Sequence, residues 1–311
     1  MKKISVLLPV YNVGGFVEET IESVLEQSYS NFELIVIDDA SSDNTALVVS
    51  ALCQQDSRIK LIINKKNLGI SKTLNIGLEE SVGQYIARID GDDLMEKSRL
   101  EKQLDFLESN SDYGLVGCWI ENIDENGNLI GSSKYPVSHE QAMQCIELCS
   151  PVLHVWMASR ELYLKLAGYR DTNPAEDYDF LLRTVTSGYR IGNLPYYGTK
   201  VRLRDGNTMS VAPLRQRKAF NKLRKMYLNG KINDDLELDL ANSSDMQVSS
   251  LLSLVHRFSV TCLRRAISSK SILTKCFWAI PSLVSPYTVQ DICRRRKFKI
   301  IMLNQNSKVD S

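Results

Sequence analysis

Four short, mainly apolar runs constrain this chain most: Ile4 to Pro9, Phe32 to Ile37, Ile59 to Ile63 and Tyr85 to Ile89. They are rich in Ile, Val and Leu and too short for helices. They suit strands buried on both faces of a parallel sheet. Between them lie helical patterns. Val17, Ile21, Val24 and Leu25 share one stripe, while Glu18, Glu19, Glu22 and Glu26 turn outward and carry no chemistry. Further helices are expected from Asn44-Thr45 through Cys53 and from Ser71 to about Glu80. Strand and helix alternating over short connections predict a doubly wound α/β sheet.

Two of these strands end in carboxylates at the same edge. The second runs into Asp38-Asp39-Ala40-Ser41-Ser42-Asp43, and the fourth into Asp90-Gly91-Asp92-Asp93. Apolar residues draw each strand into the core, whereas ionised carboxylates resist burial unless something pairs with them. A cleft at the strand tips with a divalent cation among the oxygens resolves the conflict. Ligands bind at that edge of open α/β sheets. A hard cation held by one or two carboxylates completes its shell on a diphosphate. The plainer reading is an acidic turn ahead of the helix that begins near Ser98, since Asp is common in turns and at N-caps.

Farther along, Ser98 to Ser109 reads as a helix and Tyr113 to Ile123 as a longer strand, with Asn126-Gly127 turning the chain into Leu129-Ile130. A helix over Glu140 to Leu148, an apolar segment Val152 to Ala158 and a helix Arg160 to Ala167 follow. Glu176-Asp177-Tyr178-Asp179 opens another helix, and two strand pieces, Ile191–Leu194 and Tyr196–Leu203, lead into Arg204-Asp205-Gly206-Asn207. The seven cysteines have no metal-finger spacing and read as free thiols of a reducing cytoplasm. The apolar run after Met1-Lys2-Lys3 is too short for a signal peptide, and no stretch suits a membrane span.

Taken together, Ser5-Val6-Leu7-Leu8-Pro9-Val10-Tyr11-Asn12, the Glu33 to Thr45 segment, Asn67-Leu68-Gly69, Asp90-Gly91-Asp92 and Glu176-Asp177-Tyr178-Asp179 resemble the family 2 inverting glycosyltransferases in order and spacing. The resemblance spans roughly residues 4–210 and implies the GT-A fold. That fold has a mostly parallel sheet with helices on both faces, here with a C-terminal helical extension. The resemblance also implies a nucleotide-sugar donor and a divalent metal, Mn²⁺ or Mg²⁺. By position, Pro9, Tyr11 and Asp39 would hold the nucleoside, with Asp39 at the uracil. A carboxylate accepts from an imide N–H, although an Asx-turn role would also place an aspartate there. Asp90 would lie near the ribose and Asp92 would bind the metal. Asp93 would be a second ligand or a turn residue.

Asp177 matches the general base, with Glu176 supporting it and Asp179 structural. A helix N-terminus favours the ionised form that a base requires. His154 stands where relatives carry a donor or acceptor contact. Arg204 stands where many carry a histidine over the diphosphate; a guanidinium pairs with diphosphate as a permanent charge but cannot ligate a metal. The departure leaves no histidine ligand at that position.

Charge divides the chain. Residues 1–214 carry 20 Lys/Arg against 30 Asp/Glu, and residues 215–311 carry 18 against 7, so an acidic body meets a basic tail. We read a catalytic domain over 1–213, its nucleotide-sugar half ending near 95 and its acceptor half covering 96–213. A basic, mainly helical region then spans 214–311. Leu251, Leu254, Val255, Phe258 and Cys262 share one helix face there, and Trp278 precedes Arg294-Arg295-Arg296-Lys297. Cationic amphipathic helices suit an anionic membrane surface, while a solvated subdomain packed on the core is the other reading. No motif supports nucleic acid as a partner.

The reading is a transferase of glucose or galactose from a UDP-sugar to a lipid-linked, undecaprenyl-diphosphate GlcNAc-type acceptor. It would form a β-linkage in O-antigen, lipopolysaccharide or capsule assembly, at the inner face of the cytoplasmic membrane. A non-catalytic nucleotide-sugar-binding or scaffold protein of the same fold is the alternative. The retained Asp39, Asp92 and Asp177 set speaks against it.

Overall fold

The computed structural model describes residues 3–172, 174–204, 213–233, 249–268 and 271–309. Asp205, Gly206 and Asn207, expected to continue the loop after Arg204, lie outside them. The first half alternates as expected: β1 (Ile4–Val10), α1 (Val17–Leu25), β2 (Phe32–Asp38), α2 (Thr45–Cys53), β3 (Ile59–Ile63), α3 (Ile70–Glu80) and β4 (Tyr85–Arg88). The second half runs β5 (Leu94–Met95), α4 (Arg99–Ser109), β6 (Tyr113–Ile123), β7 (Leu129–Ser133), α5 (His139–Cys145), β8 (Met157–Ser159), α6 (Arg160–Lys165), α7 (Glu176–Thr186) and β9 (Arg190–Arg202).

These strands form one nine-stranded mixed sheet in the order β3-β2-β1-β4-β8-β6-β9-β5, with β7 on the free side of β6. β1 pairs in parallel with both β2 and β4, so the C-terminal tips of β1, β2 and β4 open at one edge. β8 runs antiparallel between β4 and β6 and joins the two halves.

Strand periodicity sorts the core. Ile4, Val6 and Leu8 face the side covered by Val17 and Ile21 of α1, Val49 of α2 and Leu100 and Leu104 of α4. Leu7, Ile35, Ile37 and Ile86 face the other side, with Leu74 of α3, Leu162 of α6 and Phe180 of α7. Helices therefore cover both faces, as the fully buried β1 and nearly buried β2 require.

One element differs from the sequence expectation, and two were not specified by it. The two strand pieces near Ile191 and Tyr196 are one strand, β9, whose register against β6 slips around Cys118, Trp119 and Ile120. Pro195 sits at the slip, and a residue without an N–H interrupts a ladder without ending it. Most of the Val152 to Ala158 segment is buried coil, with β8 confined to its end. The short β5, clamped antiparallel to β9, has too few residues to show a period.

Beyond β9, α8 (Pro213–Leu228) lays Ala219 and Leu223 into the same core as Tyr178 and Phe180. α9 (Ser250–Ser268), α10 (Ile272–Ala279), a 3₁₀ turn (Pro281–Val284) and α11 (Pro286–Val309) follow. Inside that bundle His256 Nδ1 lies 2.8 Å from Ser285 Oγ, and Ser259 Oγ lies 2.9 Å from Thr288 Oγ1.

Candidate active site at the strand tips

The loops after β1 and β2 are tied into one wall. Asp43 Oδ2 accepts from the Gly14 N–H at 3.0 Å, its Oδ1 accepts from Thr45 N–H at 3.0 Å, and Asn12 Oδ1 accepts from Ser42 N–H at 2.8 Å. Asn12 and Ala40 hold positive φ of 52° and 60°, a backbone region that costs a non-glycine residue energy and that accumulates at functional sites. Pro9 is buried within β1, and Tyr11 stands 49% exposed just past its tip, an open aromatic face.

Asp39 is buried and fastens a second loop. Its Oδ1 accepts from Asn64 Nδ2 at 2.9 Å and Leu68 N–H at 2.8 Å, and its Oδ2 accepts from Gly69 N–H at 2.9 Å. The Asx-type turn belongs instead to Asp38, which accepts from Ser41 N–H at 3.2 Å. A carboxylate has about four acceptor positions, so Asp39 keeps one beyond these contacts.

At the tip of β4 the carboxylates divide. Asp90 accepts from Arg88 Nε at 3.0 Å, and its Oδ2 lies 3.0 Å from His154 Nε2. Burial works to raise the Asp90 pKa, but the Arg88 and His154 charges outweigh it and hold the carboxyl well below the usual range. Asp92 Oδ2 accepts from Arg204 Nε at 2.6 Å. Asp93, 3% exposed, accepts from Arg202 N–H at 2.9 Å and so pins β9 to the tip. Burial first, then the Asp90 and Asp92 charges, push the Asp93 carboxyl well above its ordinary value. Gly91 between them cannot be larger: a Cβ there would meet Val10 Cγ1 at 2.8 Å.

Glu176 and Asp177 open α7. Glu176 Oε1 accepts from Arg88 Nη1 at 3.1 Å, so one buried guanidinium spans Asp90 and Glu176. Asp177 keeps its Oδ2 4.0 Å from His154 Nδ1. His154 thus stands between Asp90 and Asp177, joining the acidic tip to the start of α7. Burial opposes protonation of His154, but the Asp90 charge prevails and raises its pKa.

Arg88 and Arg99 are the residues sequence reasoning passed over. Arg99 is fully buried and donates from Nη2 to the carbonyls of Arg88 at 2.8 Å and Val155 at 2.5 Å, fixing the β4 tip beside the His154 loop. The signal for Arg88 was present, since a charge inside a buried strand must be paired.

Of the residues singled out from sequence, Asp90, Asp92, Asp93, His154, Glu176, Asp177 and Arg204 converge here through direct contacts. Pro9, Tyr11 and Asp39 line the tips of the neighbouring strands β1 and β2. Among the described residues, Asp90, Asp93 and His154 each offer an atom within 4.8 Å of the others, a group able to hold a metal ion. The two carboxylates suit a Mn²⁺- or Mg²⁺-type ion, and the imidazole adds a nitrogen donor. Burial first, and then the Asp90 and Asp92 charges, raise the Asp93 pKa, and a cation here would offset the part that comes from those charges. The structure therefore groups Asp93 and His154 with Asp90, and turns the Asp92 carboxylate to Arg204.

The comparison with known proteins decides the lineage. The sequence profile described as glycosyl transferase family 2 matches residues 5–166. This chain belongs to glycosyl transferase family 2. An uncharacterized family glycosyltransferase of Haemophilus influenzae is 30% identical over 319 residues, covering 98% of this chain and 94% of the relative. TuaG of Bacillus subtilis, which carries the name of a teichuronic acid biosynthesis glycosyltransferase, is 38% identical over 108 residues, 35% of this chain and 43% of its own.

Two solved structures share the fold at 18% identity and a TM-score of 0.60. One is S. aureus TarS 1-349 in complex with UDP-GlcNAc, with 94% of this chain and 92% of that chain covered. The other is the mannosyltransferase PcManGT of Pyrobaculum calidifontis with GDP-Man and Mn²⁺, with 97% and 86% covered. The protein is a family 2 glycosyltransferase of GT-A fold.

Proposed function

We propose that this glycosyltransferase moves a hexose, glucose or galactose, from a UDP-sugar to a lipid-linked saccharide with inversion, forming a β-linkage in the assembly of a bacterial surface polysaccharide such as O-antigen or capsule. The observation that carries the reading is the placing of His154, 3.0 Å from Asp90 at the β4 tip and 4.0 Å from Asp177 at the start of α7. A base and a leaving-group site are thereby held side by side.

Asp177 takes the proton of the acceptor hydroxyl as that oxygen attacks the anomeric carbon. The bond from that carbon to the diphosphate oxygen breaks on the opposite face, and its electron pair leaves with the nucleoside diphosphate. Tyr11 offers a stacking face for the base, and the remaining acceptor position of Asp39 receives the uracil imide N–H. Arg204 exchanges its hold on Asp92 for the diphosphate as a charged fork. Asp90, Asp93 and His154 would hold Mn²⁺ or Mg²⁺, with Asp92 joining once Arg204 turns away. When bound, the ion supplies Lewis-acid neutralisation of the departing diphosphate.

UDP as the nucleotide draws support from the Asp39 geometry and from the UDP-GlcNAc of TarS, and a polysaccharide product from the name of TuaG. A panel of UDP-, GDP- and dTDP-sugars with a synthetic GlcNAc-diphosphate-lipid acceptor, with and without chelator, tests all of this. The expected product is a β-hexoside formed only from a UDP-sugar and only without chelator. Turnover from a GDP-sugar overturns the donor assignment, and full activity in chelator overturns the metal.

A lipid-linked acceptor requires the enzyme at a membrane face. Among the described residues no helix is long and apolar enough to cross a membrane. Leu251, Leu254 and Phe258 of α9, with Leu273 and Phe277 of α10, are each more than half exposed, and Arg257, Arg295, Arg296 and Lys297 are exposed on the same bundle. We expect the full chain to sediment with vesicles containing phosphatidylglycerol and not with neutral ones. Leu273→Glu/Phe277→Glu should cut that binding by about tenfold or more, because a charge replaces buried apolar area twice. Unchanged sedimentation would remove the membrane face from the reading.

A further inference from the structure

Four arginines of α8 and α11 gather in one cluster, and three of them share two carboxylates. Asp291 Oδ1 lies 2.5 Å from Arg217 Nη2, and its Oδ2 lies 2.9 Å from Arg295 Nε. Glu147 receives Arg224 twice, on Oε2 at 2.9 Å and on its carbonyl at 3.0 Å. Among the described residues Arg294 pairs with no carboxylate. Its Nη2 donates to Asn221 Oδ1 at 2.6 Å, its guanidinium lies 4.9 Å over the Phe220 ring, and its buried Nη1 has no hydrogen-bond partner among the described residues. The arginines also crowd one another. Burial first, then Arg295 and Arg294, depress the Arg217 pKa against the pull of Asp291, and burial with Arg224 depresses that of Arg294.

The cluster is linked through two packed aromatic rings to the neighbour of Asp177. The Phe220 ring beneath Arg294 stacks on Tyr178 at 4.3 Å, and Tyr178 follows Asp177 in the chain. The Tyr178 hydroxyl donates to the Ile146 carbonyl at 2.7 Å, next to the Glu147 that Arg224 grips.

We propose that Arg217, Arg224, Arg294 and Arg295 form a binding site for a diphosphate ester, the diphosphate that joins the acceptor sugar to its lipid. This rests on the lipid-linked acceptor reading above. Among the described residues the cluster has four guanidinium groups against two carboxylates and one buried N–H with no partner, which fits a dianionic ligand with several acceptor oxygens. Asp291 is the internal anion that this ligand displaces from Arg217 and Arg295. The proposed donor diphosphate place is at the β4 tip, so the enzyme would hold two diphosphates, one at each site.

The test is titration of the full chain, saturated with UDP, with farnesyl diphosphate, farnesyl monophosphate and farnesol below their aggregation limits, and in a separate arm with phosphatidylglycerol vesicles. Farnesyl diphosphate should bind at least about tenfold more tightly than the monophosphate. Arg294→Gln and Arg295→Gln should each weaken it by about tenfold, the loss of one charge-assisted contact. Asp291→Asn should tighten it, which an unfolded variant could not do. UDP affinity should not move in any of them.

In the transfer assay the arginine variants should raise KM for the lipid-diphosphate acceptor and leave kcat within about twofold. An acceptor carrying the same sugar on a neutral lipid should be insensitive to them. Equal binding of farnesyl diphosphate and farnesol, or a weakening by Asp291→Asn, overturns the proposal. So does a loss confined to phosphatidylglycerol vesicles, which would make the cluster a headgroup contact. Any of these results with acceptor transfer intact leaves the proposed function standing. Diphosphate binding at the cluster with no transfer to the lipid-linked saccharide supports the site and removes that acceptor instead.

Discussion

Asp177→Asn should lower kcat for transfer by about a hundred- to ten-thousandfold, the range by which a positioned general base accelerates proton removal. Nucleotide-sugar affinity should stay near that of the parent enzyme. The substitution keeps shape and hydrogen bonding but removes the charge that accepts the proton. Asp177 Oδ1 accepts from its neighbour Tyr178 N–H at 2.7 Å, and its Oδ2 faces His154 at 4.0 Å. An asparagine oxygen can keep the first contact, so α7 should remain formed. The lost charge at the helix start costs only about 0.3–1 kcal/mol. Single-turnover rates with the GlcNAc-diphosphate-lipid acceptor and calorimetric titration with the nucleotide sugar separate the two effects. A near-parental rate would show that another group takes the proton. A fall in donor affinity of the same size as the fall in rate would move Asp177 to the donor side.

The first half of the fold was legible because its strands are buried on both faces. A run such as Ile4 to Val10 has no polar register in which to lie, and the helices between the runs show clear apolar stripes. The acidic tips were legible for the opposite reason, as charges set where the flanking residues demand burial. The pairing at those tips was not legible. Asp92 and Asp93 are adjacent and chemically equal in sequence, yet their peptide geometry sends one to Arg204 and the other to the backbone of Arg202 and the neighbourhood of Asp90. His154 reaches the site from a coil ahead of β8, between strands far apart in the chain, where no periodicity marks it. Glu19, read as a solvent-facing residue of α1, receives Arg202 Nη2 at 2.6 Å across the same long separation. Such contacts depend on the antiparallel insertion of β8 and the bulged course of β9, and neither follows from local pattern.

Arg88→Met should be the most damaging single substitution at the site, destabilising the fold by about 3–5 kcal/mol, the cost of breaking a buried ion pair and leaving its partner charge uncompensated. The arginine side chain is 3% exposed and serves Asp90 and Glu176 at once, at 3.0 and 3.1 Å. Methionine fills much of the volume, so lost packing contributes little. The cost comes from the two carboxylates left without their guanidinium. Glu176 already sits where burial, and then the Asp177 charge, raise its pKa against the pull of Arg88, and removing Arg88 leaves that upward push unopposed. Adding Glu176→Gln to Arg88→Met should therefore recover part of the loss, because the second carboxylate no longer needs a partner. The two single costs and the double cost should differ from additivity by more than about 1 kcal/mol, as expected for groups in direct contact. Urea unfolding of the four proteins, followed by tryptophan fluorescence, measures this. Trp156 is buried in the core that α7 closes and stacks on Phe180 at 5.7 Å. A cost for Arg88→Met below about 1 kcal/mol, or strict additivity with Glu176→Gln, would mean that the start of α7 is held by its packing alone. The position of Asp177 would then owe nothing to the strand that carries the acidic tip.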